Sequence, residues 1–300
     1  MERLSHSHYS FYRLEKFDID AAKLERVLEE NRVDAAAMEQ LTLSTAVVNV
    51  YGYCGASLIT EFVGASLENL IHAREMPNNP FVSDIQPAKK LSIALDIATG
   101  VATMHNINGR PGFSSNDLHI GNIFFDSQMR PKLNDFNLAL FLMTRPNETG
   151  VMCHSVRREG MVDAGWRPPE EYLDVTDTSI SVISSNSAED ETPAVRVWPD
   201  KVDVFALGSI MYTLLVGYDP WWESGEEEHE AFRDQMIALK VKGGHLPFPK
   251  EVQESLDPAV QTLIRAIKSC HNFHPTERPT AMELVEILER KGHGHLHTSA

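Results

Sequence analysis

The sequence predicts an α+β fold, a small N-terminal sheet followed by a mainly helical body. Residues 47–62 hold two runs rich in β-branched and aromatic residues, Val47-Val48-Asn49-Val50-Tyr51-Gly52-Tyr53 and Ser57-Leu58-Ile59-Thr60-Glu61-Phe62. Cys54-Gly55-Ala56 between them reads as a turn, so the pair is a strand hairpin. Residues 88–105 repeat apolar side chains at Leu91, Ala94, Leu95, Ala98, Val101, Ala102 and Met104, the spacing of a helix with one wide buried stripe. A third signal is the apolar run from Val204 to Val216, too short to span a bilayer and suited to a helix buried on all sides.

Taken in order, the chain opens with His8-Tyr9-Ser10-Phe11-Tyr12-Arg13-Leu14, a short strand candidate. A helix is expected from about Ile19 to Leu41, amphipathic through Leu24, Val27, Leu28, Ala35, Met38 and Leu41. The hairpin and the 88–105 helix follow, and then two polar stretches, Asn116-Asp117-Leu118-His119-Ile120-Gly121-Asn122 and Asn134-Asp135-Phe136-Asn137. Read alone, each of these is an ordinary turn, because Asn and Asp tolerate turn geometry and cap helices. Residues 174–199 are rich in Ser, Thr and acids and read as an inserted polar loop, a possible phosphorylation target. The tail His293-Gly294-His295-Leu296-His297 alternates histidines that could gather a transition metal, though an extended tail offers nothing to orient them.

Composition narrows the function. A formal charge of −16 argues against a nucleic-acid or anionic-membrane surface. The acids of 189–191 and 223–230 read as solvated loop, with a basic partner as the other reading. Three widely separated cysteines, Cys54, Cys153 and Cys270, show neither zinc spacing nor a disulfide framework, which fits a reducing cytosol. The polar N-terminus lacks the apolar core of a signal peptide, so a cytoplasmic protein without a transmembrane segment is expected.

The two polar stretches resemble the catalytic and metal-binding loops of protein kinases. The first fits the D-L-x-x-x-N half of the kinase pattern, the second D-F-G with Asn137 in place of glycine. Further elements follow in that family's order. Trp166-Arg167-Pro168-Pro169-Glu170 resembles the segment ending A-P-E, and Asp203 to Gly217 the buried central helix. Pro275-Thr276-Glu277-Arg278-Pro279-Thr280 resembles the element whose arginine pairs with the A-P-E glutamate, so Arg278 is expected to meet Glu170. The resemblance implies a two-lobed protein kinase-like fold with an incomplete small N-lobe sheet and a mainly helical C-lobe. One domain would fill 1–300, with a partial N-lobe and hinge to about residue 63, a C-lobe over 64–290 and a flexible tail at 291–300.

Roles follow from the same resemblance. Asp117 would accept the substrate hydroxyl proton, while Asn122 and Asp135 would hold Mg2+ on the phosphates of ATP. Magnesium wants oxygen ligands and takes several from phosphate and water, so few protein oxygens suffice. Thr60 takes the gatekeeper place and Glu61, Phe62 and Val63 the adenine-binding hinge. A protein substrate or signalling partner is implied, and a monomer is expected.

Several positions depart from the family pattern. No glycine precedes Gly52, so no glycine-rich loop covers the phosphates. The strand lysine is also missing, leaving Arg13 or Lys16 to reach the phosphates, and an arginine fork is a poor copy of a compact ammonium. Its acidic partner is Glu30, Asp34 or Glu39; counting back from Val47 favours Asp34. Ser115-Asn116 replaces the usual His-Arg, removing the arginine that would read a phosphorylated activation loop. His119 takes the place of a lysine beside the γ-phosphate and replaces its charge only in part. Asn137 is tolerable because asparagine visits the left-handed region readily. One lost preorganised donor typically costs ~10²–10³ in rate, so several together cost on the order of 10⁴. The sequence therefore predicts a Ser/Thr-type phosphotransferase of weak activity, with a catalytically inactive scaffold or a fragment of a longer kinase as the alternatives.

Overall fold

The computed structural model describes residues 2–6, 9–13, 21–42, 44–55, 57–72, 85–142, 155–156, 164–173, 196–221 and 229–290. Lys16, the expected start of the first helix at Ile19, Cys153, most of the 174–199 loop, the acids of 189–191 and 223–228 and the histidine tail lie outside the described residues.

An antiparallel sheet of four strands forms the N-terminal part. It contains β1 (Glu2–His6), β2 (Tyr9–Arg13), β3 (Val50–Cys54) and β4 (Ser57–Glu61) in the spatial order β1-β2-β4-β3. The expected strand near residues 8–14 is present as β2, and it pairs with β4 through Tyr9↔Glu61, Ser10↔Thr60 and Phe11↔Ile59. β1 has no counterpart in the sequence reading: its residues Arg-Leu-Ser-His carry no β-branched side chain, and only its hairpin with β2 makes it a strand. The register of β3 on β4 shifts between Val50 and Gly52, where one extra residue enters β3. Val47 and Val48 leave this sheet altogether; Val47 bridges Leu133, and Val48 N donates to Leu133 O.

Helix α1 (Ala21–Gln40) lies against β3 and β4. Its buried stripe is confined to the second half, at Ala35, Ala37 and Met38, whereas Leu24 is 45% exposed. The short α2 (Leu67–His72) follows β4. Then comes α3 (Pro87–His105), which begins with proline at its first position, where no amide partner is needed. Its buried face includes Ile93 and Ile97 as well as Ala94, Ala98, Val101, Ala102 and Met104, a wider stripe than the sequence predicts because helices cover it from two sides.

Short strands carry the chain from α3 into the polar loops. These are β5 (Asn106–Ile107), β6 (Arg110–Pro111), β7 (Phe113–Ser114), β8 (Ile123–Phe125), β9 (Pro131–Leu133) and β10 (Leu140–Phe141), joined as the hairpins β5-β6 and β8-β9 and the pair β7-β10. Beyond them β11 (Ser155–Val156) pairs with β12 (Arg196–Val197).

Helix α4 (Pro199–Val216) is the centre of the helical part, with 15 buried residues that include Asp203, Ser209 and Thr213. It ends at Gly217, whose φ of 86° is the left-handed cap that a Cβ would oppose. Around it stand α5 (His229–Val241), α6 (Lys250–Gln253), α7 (Pro258–Cys270) and α8 (Ala281–Glu289), with α7 on α4 and α8 on α3. The start of α7 is capped by Asp257, which accepts from Ala259 N and Val260 N. At α8, Thr280 and Glu283 form a reciprocal capping box. The expected pair is present as well: both Arg278 guanidinium ends donate to Glu170 at 2.7 Å, with neither side chain exposed.

Candidate active site

The catalytic-loop stretch is shaped by its backbone. Asn116 has φ 56°, a left-handed conformation that asparagine accepts more easily than most residues. Asp203 on α4 holds the turn from beneath, its carboxylate accepting from Ser115 N at 2.8 Å and Asn116 N at 3.0 Å. His105, at the end of α3, lies 2.8 Å from the same carboxylate. A single 3-10 turn over Ile120–Asn122 then returns the chain toward β8.

That turn brings Asn122 back onto Asp117. Its Nδ2 donates to Asp117 O at 3.0 Å, which leaves the amide oxygen as the atom a metal would take. His119 caps the turn: its Nδ1 accepts from Gly121 N at 3.1 Å, and the ring proton therefore sits on Nε2. Any side chain at residue 121 would collide with this arrangement, because a Cβ there would lie 2.7 Å from His119 Cε1.

The second loop carries its strain at an unexpected residue. Asp135 has φ 62°, whereas Asn137 is not left-handed; the expectation for Asn137 is corrected. Residue type indicates tolerance of a positive φ, but the turn falls where Phe136 must point into the core, and Phe136 is 1% exposed. Phe113 meets it edge-on, with ring centroids 5.5 Å apart.

Of the three acids considered on α1, Asp34 reaches this loop. Its Oδ1 accepts from Phe136 N at 2.9 Å, tying the helix to the Asp135 loop. Glu30 faces Arg26 at 3.6 Å on the open side, and Glu39 is exposed. Burial pushes Asp34 up to about 6 despite the Phe136 amide, and the neighbouring Asp135 carboxylate adds to the rise.

Asp117 and Asp135 are displaced in the same direction. Burial raises Asp117 most, with the Asp135 charge adding to it and His119, Arg167 and the Asn122 amide opposing. Asp135 is raised by burial against a hydrogen bond from the Asn137 backbone and the pull of His119. Three carboxylates that resist ionisation beside one another favour a cation.

The donors fit magnesium: Asp117, Asn122 and Asp135 supply oxygens only, and the nearby Asn137 Oδ1 is buried with no partner among the described residues. Among those residues no group of three or more His, Cys, Asp and Glu side chains is placed to hold a metal ion.

On the sheet side, β2 ends at Arg13; its Phe11 pairs with Ile59 and its Ser10 with Thr60, the expected gatekeeper. In the expected hinge, Glu61 N is already committed to Asn49 O at 2.9 Å. The Glu61 side chain accepts from Asn49 N at 2.8 Å and from the buried Lys132 at 2.6 Å, locking hinge to β9. Phe62 is 51% exposed and Val63 packs against the core.

The sequence reading overlooked Arg167. Its Nη1 donates to Asn116 O at 2.6 Å, its Nη2 to Asn116 Oδ1 at 3.1 Å, and Nε and Nη2 grip Glu171. The one available signal was an arginine four residues before a glutamate inside the Pro-Pro-Glu segment, which nothing local distinguishes from a helical ion pair.

The family model of the protein kinase domain matches residues 5–287, and the chain belongs to that family. It is 26% identical over 258 residues to LysM domain receptor-like kinase 10 of Oryza sativa subsp. japonica, covering 81% of this chain and 36% of that protein. It is 27% identical over 206 residues to serine/threonine-protein kinase 12 of Arabidopsis thaliana, covering 68% and 36%. A third relative from the same plant carries the name "Probably inactive leucine-rich repeat receptor-like protein kinase"; identity is 26% over 235 residues, covering 77% and 20%. The chain thus spans 20% to 36% of the lengths of these relatives. No helix among the described residues is long and apolar enough to cross a membrane.

Proposed function

We propose that this chain is a two-lobed protein kinase domain that transfers the γ-phosphate of ATP to a protein Ser or Thr hydroxyl with magnesium, at low turnover. The observation that carries the reading is the nearness of Asn122 and Asp135 to Asp117, with Asp34 bonded to Phe136 N next to Asp135. Bound Mg-ATP supplies the phosphoryl group and neutralises the charge on it. Asp117 accepts the hydroxyl proton of the substrate, and its raised pKa suits that task. Asn122 orients Asp117 by donating to its main-chain oxygen, and Asn122 with Asp135 would hold the metal. His119, its Nδ1 accepting from Gly121 N, stands where the family pattern sets a lysine. Arg13 or Lys16 is the candidate base for the phosphates. The domain fills 1–300, acts in the cytoplasm and works as a monomer on protein partners.

A scaffold without catalysis is the second reading. It is favoured by Asp34, whose charged neighbour among the described residues is the Asp135 carboxylate, where the family pattern sets a lysine. A thermal shift titration with Mg-ATP separates the two, with Asp135→Ala as control. We expect the midpoint to rise with Mg-ATP, the variant to lose the rise, and radiolabelled phosphate to reach a generic protein substrate. A midpoint indifferent to both ATP and magnesium, without transfer, rejects the phosphotransferase.

A further inference from the structure

We propose that Arg167 is a positioning residue for the catalytic loop, fixing the peptide ahead of Asp117 and docking segment 164–173 onto it without a phosphate. This rests on the reading of Asp117 as proton acceptor. Asn116, Arg167 and Glu171 are 5%, 6% and 6% exposed, so the cluster is closed to water. Within it Asn116 is bonded at every polar position. Its N meets Asp203, its O and Oδ1 meet Arg167, and its Nδ2 lies 3.4 Å from Leu138 O. The guanidinium uses Nε, Nη1 and both hydrogens of Nη2, four of its five donors.

The carbonyl held by Arg167 belongs to the peptide plane that begins Asp117, so the orientation of that plane depends on a side chain from another segment. That segment is itself anchored. Lys240 Nζ donates to the carbonyls of Ala164, Gly165 and Arg167 at 2.6, 3.2 and 2.9 Å, and Glu170 is held by Arg278. In the usual pattern the loop residue is a cation, satisfied by a phosphate added to the activation segment. Here the polarity is reversed: the loop offers Asn116 oxygens, the segment supplies the cation, and Glu171 is an encoded anion that leaves Arg167 no unmet charge. Asn116 in its left-handed turn presents both oxygens toward one side, which an arginine at residue 116 would not do.

Hydrogen exchange measured by mass spectrometry on the full chain, before and after phosphatase treatment, tests this. We expect treatment to leave residues 115–119 and 164–173 unchanged. Arg167→Gln should speed exchange in both segments by about tenfold or more, the equivalent of ~1.4 kcal/mol of opening free energy. Residues 281–289 should not change, and Arg167→Lys should restore protection in part. Faster exchange on dephosphorylation alone, or Arg167→Gln loosening 164–173 but not 115–119, overturns the proposal. If Arg167→Gln does not fold, Asn116→Gly keeps the left-handed backbone and removes the Oδ1 acceptor. Loosening of both segments then supports the coupling, and loosening of 115–119 alone overturns it. Exchange needs no nucleotide, so a failed response to Mg-ATP removes the phosphotransferase reading and leaves this result independent.

Discussion

Asp34 is the residue at which the cleft's electrostatics can be measured most directly. Its carboxyl is pushed from an ordinary 3.8 to about 6, chiefly by burial. Between about pH 4 and pH 6 the folded protein therefore holds a proton that the unfolded chain has released. The resulting stability is complete below about pH 4 and is lost as pH rises through about 6. Asp34→Asn keeps an oxygen for Phe136 N and removes the charge. We expect it to raise the melting midpoint at pH 7–8, to leave the midpoint near pH 4 unchanged and to flatten the slope between. Linkage sets a ceiling of about 3 kcal/mol, and the half-buried position makes ~1 kcal/mol the working figure. Midpoints from pH 4 to 8 for both proteins check it; an unchanged slope in the variant refutes the burial account.

At the scale of elements, the 164–173 segment is held on one side by the buried Arg278–Glu170 ion pair and on another by Lys240 Nζ, which donates to three of its carbonyls. Removing one partner of a fully buried pair leaves a charge with nothing to compensate it and costs ~3–5 kcal/mol. We expect Arg278→Met to lower the urea midpoint accordingly, and Glu170→Leu with Arg278→Met to recover part of the loss because no orphan charge remains. A double variant as unstable as the single one would place the stabilisation in the other Arg278 bonds, to Asn272 O, Phe273 O and Lys201 O. This pair was legible in the sequence because each partner sits in a recognisable short motif. The Arg167 bonds to Asn116 were not, because they depend on the turn at residue 116 and on where folding brings a distant segment. The same holds for helices and strands. Periodicity located α3 and an unbroken apolar run located α4, but neither kind of signal could say that α1 would bury only its second half, since that is decided by what lies opposite. The left-handed residue of the second loop was assigned to Asn137 from tolerance alone, whereas packing of Phe136 selects Asp135. Counting along the chain singled out Asp34 among the three acids, and it is the one bonded to the Asp135 loop, through Phe136 N.

At the scale of the whole molecule, the formal charge of −16 sets a background against which the cleft must be read. At 0.01 M salt the screening length is about 30 Å, comparable with a domain, and at 0.15 M it is about 8 Å, so repulsion among distant surface acids fades between the two. We expect NaCl to raise the melting midpoint by a few degrees over this range and then to level off. Magnesium adds a local effect, because burial already raises Asp34, Asp117 and Asp135, and the Asp135 charge adds to it at the other two. MgCl2 at matched ionic strength should exceed NaCl, and the excess should vanish in Asp135→Ala while the NaCl response stays. The comparison isolates the site from the surface, since screening depends on ionic strength and the excess depends on a particular set of oxygens. Coincident NaCl and MgCl2 curves in the native protein would mean that the cleft gathers no cation without nucleotide, and that the three carboxylates are relieved by protons alone.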